Sequence, residues 1–337
     1  MAAGVLLHQI TGQPREILDR VLITNAKKFP LMALLPKGPV VSTVHYEWPL
    51  DVYEDASDNA AVDGTDITDF DNAQKNYAIV ANRMQWFRER AMVGELAETE
   101  EQAGIKNKRG YAIKKKMEKL YRDIEAMLGS DNDVQVGDGA KPNKCRGIGK
   151  WLSTTLNTSG YSVGTDFTPT SAQLVTTATG SLAQSEVQTA LQETWTRGNA
   201  DDSDEYQLVS GANLRARFST FTAFASGTNT YATARTYNAD LAKKVIWATI
   251  DRFEGDFGKV NLIPTHWNAH PNVGGDANKN LARGYALKPS KWELIWKWMP
   301  KIKPLPDGGG GERFMVHAYM GLRCLHPGAN FAFKATS

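Results

Sequence analysis

The residues able to do chemistry in this 337-residue chain are few and poorly grouped. His266 and His270 stand four apart, the spacing at which two imidazoles on one helix face hold a metal. Pro264 and Pro271 bracket the pair and deny it that helix, and no acid lies between them. Cys324 and His326 are two apart, but no second close pair completes a metal quartet. Cys145 lies far from Cys324, so the two cysteines suggest neither a disulfide framework nor a zinc site and favour a reducing compartment. The run Gly308 to Gly311 lacks a following Lys-Ser or Lys-Thr and precedes a strand-like segment, so it reads as a hairpin tip and not a phosphate cradle. Trp292, Trp296 and Trp298, with Tyr285 nearby, have the density of a stacking platform or of a packed interface. His317 alternates within a strand pattern and reads as an ordinary sheet residue. No Gly-x-Ser-x-Gly elbow and no His-Glu-x-x-His helix occurs. These residues therefore offer no catalytic, cofactor-binding or metal-binding set.

Charge is the stronger signal. Lys and Arg number 39 and Asp and Glu 37, a formal +2 that argues against a dedicated nucleic-acid binder. The total conceals two opposed blocks. Glu47, Asp51, Glu54, Asp55, Asp58, Asp63, Asp66, Asp69 and Asp71 fall in 25 residues without one Lys or Arg. They lie in a polar segment with no apolar pocket to raise a carboxyl pKa, so they are not acid–base machinery. Lys106, Lys108, Arg109, Lys114, Lys115, Lys116, Lys119 and Arg122 then share 17 residues with the single acid Glu118. Two such blocks suggest surfaces that attract each other, within one chain or between copies.

The elements that position these blocks follow from periodicity. Residues 1–39 form an arm ending in a proline-punctuated stretch, Pro30 through Pro36 to Pro39, which should not be continuous helix. Val40 to Leu50 and Tyr77 to Phe87 read as the strands of a long hairpin whose polar tip, 53–73, must project. Residues 95–128 favour helix, with Met117, Leu120, Tyr121, Ile124, Met127 and Leu128 in one stripe and Gly129 as a stop; Gly104 and Gly110 allow a break. Ser153 to Ser181 should be irregular with short strands. A helix follows with a Ser185/Gln188 capping box and a face of Val187, Leu191 and Trp195. Tyr206–Ser210 reads as strand and Ala212 to Phe224 as helix, and Asn238 to Trp247 opens a further element. Lys259–Pro264, Trp292–Trp298 and Phe314–Leu322 should be strands, the last with Phe314, Val316, Ala318 and Met320 on one side and Met315, His317 and Tyr319 on the other. The fold class is α+β. No apolar run is long enough to span a bilayer.

The order of these features resembles the major capsid proteins of tailed bacteriophages, with their Hong Kong 97-type shell fold. The residues carrying the likeness are Glu47-Trp48 in the first hairpin strand and Asp123-Ile124-Glu125 near the end of the long helix. Asp251 to Pro264 with Asp256-Phe257-Gly258 inside it, Trp267, and a closing strand before Asn330 complete the set. It spans roughly residues 40–333. The resemblance implies an N-terminal arm (1–39), an extended-loop hairpin (40–90), a peripheral domain on a spine helix (91–184), an axial domain (185–300) and C-terminal strands returning to the peripheral domain (301–337). It also implies a structural protein and not an enzyme, without cofactors, whose copies form the hexamers and pentamers of an icosahedral head around double-stranded DNA, assembled in the host cytoplasm. The implied partners are other copies, a portal, a separate scaffolding protein, packaged DNA and, in some shells, a decoration protein, with no membrane. On this view the nine acids are an inter-subunit contact and the eight bases of the helix receive them or face DNA. Alternatives are a bacterial compartment shell of the same fold, a neck, tail or decoration protein, and a metal-dependent hydrolase built on His266 and His270.

Overall fold

The computed structural model describes residues 29–54, 56–64, 66–68, 70, 77–100, 105, 107–158, 161–197, 205–221, 238–240, 245–247, 251–265, 283–306 and 309–334. The expectations at Asp55, Asp69, Asp71, Lys106, His266, Trp267, His270 and Gly308 lie outside the described residues.

Six α-helices, three short 3-10 helices and fifteen strands occur among them. The first half holds α1 (Pro30–Leu34), β1 (His45–Leu50), β2 (Ala78–Arg83), β3 (Gln85–Val93), α2 (Glu95–Thr99), α3 (Lys108–Leu128) and α4 (Ile148–Trp151). Three short strands follow, β4 (Asn157–Thr158), β5 (Tyr161–Ser162) and β6 (Leu174–Val175), then α5 (Gln184–Thr196), β7 (Glu205–Ser210) and α6 (Ala212–Phe218). The rest is strand: β8 (Asn238–Asp240), β9 (Val245–Trp247), β10 (Arg252–Gly255), β11 (Gly258–Pro264), β12 (Gly284–Leu287), β13 (Trp292–Leu305), β14 (Glu312–Cys324) and β15 (Phe331–Phe333).

Two sheets organise the molecule. An antiparallel sheet of order β13–β14–β3 carries α3 on one face, and a mixed six-stranded sheet runs β10–β11–β7–β12–β15–β6. Each has its own apolar core. The first gathers Leu120, Ile124, Phe314, Val316, Met320 and Trp151, and the second gathers Tyr206, Leu208, Phe218, Phe331 and Phe333. Buried Tyr285 joins the two units, its hydroxyl donating to the Gly129 carbonyl at 3.0 Å. Asn330 fastens the chain end, accepting from the Trp292 indole (2.9 Å) and the Lys288 amide (2.8 Å).

Local sequence explains the main elements. α3 begins where the Asn107 side chain accepts from the Gly110 amide and ends where the Gly129 amide reaches back to the Glu125 carbonyl. Its expected stripe is largely confirmed: Leu120, Ile124, Met127 and Leu128 are buried. At β14 the expected alternation also holds, with Phe314, Val316, Ala318 and Met320 in the core. The β13–β14 turn runs through Gly309, Gly310 and Gly311 at φ of 76°, 123° and 142°, a left-handed path that side chains resist, so the glycine run is the hairpin tip expected of it.

Several boundaries differ from the expectation. The helix expected over 95–128 is two helices, since only Lys108–Leu128 is continuous; its 21 residues span about 32 Å. The second hairpin strand divides at Met84. β2 pairs with β1 from Leu50↔Ala78 to His45↔Arg83, whereas β3 leaves to pair with β14, which takes residues 85–90 out of the hairpin. Pro30 starts a short helix because its fixed φ suits a first helical position. α5 starts at Gln184, and Glu186, not Gln188, closes back on the Ala183 amide at 2.8 Å; Ala183 has no side-chain acceptor, so half of the box is made. Trp195 is 45% exposed, outside the buried face of Val187 and Leu191. The helix opening at Ala212 ends at Phe218, not Phe224. Trp292 and Tyr285 are core residues and Trp298 is a surface residue, so the aromatic run is not one platform. The expected domain boundary at 300 falls inside β13, and the last strand, β15, belongs to the six-stranded sheet.

Candidate interaction surfaces

Among the described residues both cysteines and His326 are shielded from solvent. Burial pushes the Cys145 thiol up to about 12, and Cys324 well above its ordinary value, so both stay protonated at neutral pH. Burial, with Lys291, Arg197 and Lys288 nearby, pulls His326 down to about 4. Among the described residues no group of three or more His, Cys, Asp or Glu is placed to hold a metal ion, and no helix is long and apolar enough to cross a membrane. What the described surface offers is shape and charge.

The acidic loop leaves β1 at Leu50 and returns at Ala78. Its described acids, Asp51, Glu54, Asp58, Asp63 and Asp66, are exposed, as is Glu47 within β1. So are Tyr53 (97%), Phe70 (87%) and Ile67 (79%), large apolar side chains without cover. The base of the loop is firm. The Tyr46 hydroxyl donates to the Leu322 carbonyl at 2.9 Å and the Trp48 indole to the Cys324 carbonyl at 3.0 Å. Tyr46 sits so close over Gly321 that a Cβ there would collide with its ring.

The basic helix is partly spent within the chain. Lys116 reaches Glu89 of β3 at 2.9 Å, and Lys119 binds the other oxygen of the same carboxylate. Burial raises the Glu89 carboxyl, and hydrogen bonds from Lys119 and Lys116 reverse that and hold it below the ordinary carboxylate range. Arg109 pairs with Glu312 of β14 at 2.9 Å, and the Lys108 ammonium donates to the Ala97 and Glu100 carbonyls. Lys114 and Lys115 point outward with no ion pair among the described residues, whereas Arg122 is half-buried.

Two features stand outside the sequence expectations, a buried carboxylate and an open sheet face. Glu125 is fully buried, and its carboxylate accepts from the Leu31 amide (2.7 Å) and the Met32 amide (3.0 Å), capping α1 from a different helix. Desolvation raises its pKa to about 7 against the pull of those two amides. Its signal was present: Glu125 follows Tyr121 by four and Ile124 by one, inside the apolar stripe, where a carboxylate must find donors.

The second is the face of the three-stranded sheet opposite α3. Pairing aligns Trp86, Tyr319 and Trp298 in one row, Arg88, His317 and Lys301 in the next, and Arg90, Met315 and Lys303 in a third. Two register shifts in β13, around Trp298, bring Trp298 opposite Tyr319 and Lys301 opposite His317. The first two rows, with Met315 and Lys303 of the third, line a groove of about 1040 Å³, and none of the described residues lining it is acidic. Sequence reading missed it because β3 and β13 lie some 200 residues apart, and only the register brings their cations together.

A family model described as SU10 major capsid protein matches residues 6–337. No curated protein matches the sequence. Among solved structures, the capsid of cyanophage P-SCSP1u is similar at a TM-score of 0.63 and 10% identity, covering 98% of this chain and 97% of that one. The capsid of a native GTA particle gives 0.58 at 11% identity, with 98% and 97% covered. Mycobacterium phage Che8 gives 0.55 at 12% identity, with 96% and 97% covered. At these identities the structures establish a shared fold.

Proposed function

Since this chain belongs to the SU10 major capsid protein family and is a tailed-phage major capsid protein with the Hong Kong 97-type fold, we propose that its copies assemble as hexamers and pentamers into an icosahedral head around double-stranded DNA. The carrying observation is the family match over residues 6–337. In this reading α3, the three-stranded sheet and the β1–β2 pair form the peripheral domain. The six-stranded sheet with α5 and α6 forms the axial domain, meeting its neighbours around the five-fold and six-fold axes.

The acidic loop supports the assembly reading independently. An isolated subunit gains nothing from exposing Tyr53, Ile67 and Phe70 on a strongly anionic arm, whereas a shell covers them. The 27 residues between Leu50 and Ala78 extend up to about 40 Å from the hairpin base, far enough to lie over an adjacent subunit. Lys114 and Lys115 are left to meet another copy or the phosphates of packaged DNA. A portal, a scaffolding protein and a decoration protein are the further partners that such a head implies, and assembly in the host cytoplasm is its setting.

Negative-stain microscopy of the purified protein tests the reading. Closed icosahedral particles are expected, and monodisperse monomers would overturn it. Removing Asp55 to Asp71 should leave a folded, soluble subunit that does not close into shells; normal shells from that deletion would take the loop out of assembly.

A further inference from the structure

The open face of the three-stranded sheet carries cations among aromatic and apolar side chains. Arg88, Arg90, Lys301, Lys303 and Arg313 lie across three neighbouring strands, and no carboxylate pairs with any of them among the described residues. Of the carboxylates of the same strands, Glu89 and Glu312 point to the opposite face, where α3 neutralises them, and Glu293 is taken up by Arg323 at 3.1 Å. His317 sits at the centre, only 3% exposed, its ring edge-on to Trp298 at 5.5 Å. The Trp86 indole, which can only donate, reaches His317 Nδ1 at 3.4 Å, so the neutral ring carries its proton on Nε2. That buried Nε2 has no hydrogen-bond partner among the described residues. Burial, with Lys301 and Lys303 beside it, lowers the His317 pKa, consistent with a neutral ring. A buried donor left unmatched is costly unless an acceptor arrives.

The missing occupant must therefore supply anionic acceptors and apolar groups for Trp86, Trp298 and Met92, all exposed. The acidic loop has both, in Asp51, Glu54, Asp58, Asp63 and Asp66 interleaved with Tyr53, Ile67 and Phe70, and in its own chain these residues are exposed and none of them lines this groove. A nucleic-acid backbone would match the cations but leave the exposed apolar side chains of the loop uncovered. We propose that this cationic, aromatic sheet face, and not the basic helix, is the seat for the acidic loop of a second copy. The proposal rests on the assembly reading and names the site at which that reading's loop docks.

A fluorescent synthetic peptide with the sequence of residues 50–71, titrated onto the full chain dissociated to subunits, tests the seat without requiring a shell. The expected result is binding that falls at least tenfold in the triple variant Arg88→Glu, Lys301→Glu, Lys303→Glu and severalfold in the milder Arg88→Gln, Lys301→Gln. The pair Lys114→Glu, Lys115→Glu should stay within twofold of the parent. Melting curves check that each variant is folded, and these side chains are on the surface. No peptide binding, binding indifferent to the sheet variants, or an equal loss in the helix variant overturns the proposal. So does a 20-base-pair duplex that binds the sheet face while the peptide does not. Shells that form normally while the peptide ignores the sheet face sink the seat alone, whereas peptide binding at this face without any shells sinks the assembly reading and upholds the seat.

Discussion

The two faces of the sheet β13–β14–β3 come from the same residues taken alternately, yet they have opposite fates. The face under α3 is completed within the chain: Phe314, Val316, Ala318 and Met320 are buried against Leu120 and Ile124, and its acids Glu89 and Glu312 find Lys116, Lys119 and Arg109. The other face keeps five cations without counter-ions among the described residues, and two half-exposed tryptophans. One face holds the subunit together and the other is left for something outside it. A strand with side-chain period two can serve both purposes, because neighbouring residues never share an environment.

That contrast can be broken by experiment. The largest effect is expected on the inner face, where Phe314→Ala should cost about 3–5 kcal/mol in urea unfolding because the packed site cannot collapse around the cavity. A loss below 1 kcal/mol would show that this face is not the core.

Next is Glu125, whose carboxyl titrates near 7 when folded and near an ordinary carboxylate value when unfolded. The folded state holds the proton more tightly, so its contribution is complete below about pH 4.5 and is lost as pH rises through 7, up to about 3 kcal/mol. Thermal melts across pH 5–8 should show this decline, and Glu125→Gln should flatten it. A parallel decline in the variant would assign the pH dependence to other groups.

Glu89 has the opposite sign. Its carboxyl is depressed, so its stabilisation is present above the unfolded pKa and disappears on acidification. Lys119 is half exposed and solvent screens it, so Glu89→Gln should cost only about 1 kcal/mol at pH 7 and progressively less as pH falls below the ordinary carboxylate range, by chemical denaturation. The smallest effect belongs to the outer face: Arg90→Gln should change stability by less than about 0.5 kcal/mol. If Arg90→Gln destabilised the subunit more than Glu89→Gln, the division into a folding face and an open face would fail.

Much of the fold was legible because periodicity is local. The stripe from Leu120 to Leu128, the stop at Gly129, the alternation along Phe314–Met320 and the glycine hairpin tip all depend on neighbours within a few residues. The break before Lys108 and the switch of partner at Met84 were less legible, because strand ends depend on which distant strand competes for the hydrogen bonds. Charge blocks were legible as composition, but how many charges of the helix block stay unpaired was not. Three of the cations assigned to the helix as one block, Arg109, Lys116 and Lys119, are absorbed by acids of β3 and β14.

By itself the sequence determined the α+β class, the resemblance to phage capsid proteins that the family match bears out, and the segregation of acids and bases into two blocks. Only the tertiary structure decided which charges remain available. An ion's availability depends on what stands within about 4 Å of it, and at Arg88, His317 and Lys301 those neighbours come from three strands that meet through pairing register alone. The same holds for Glu125, a surface residue by composition and the buried cap of another helix by packing.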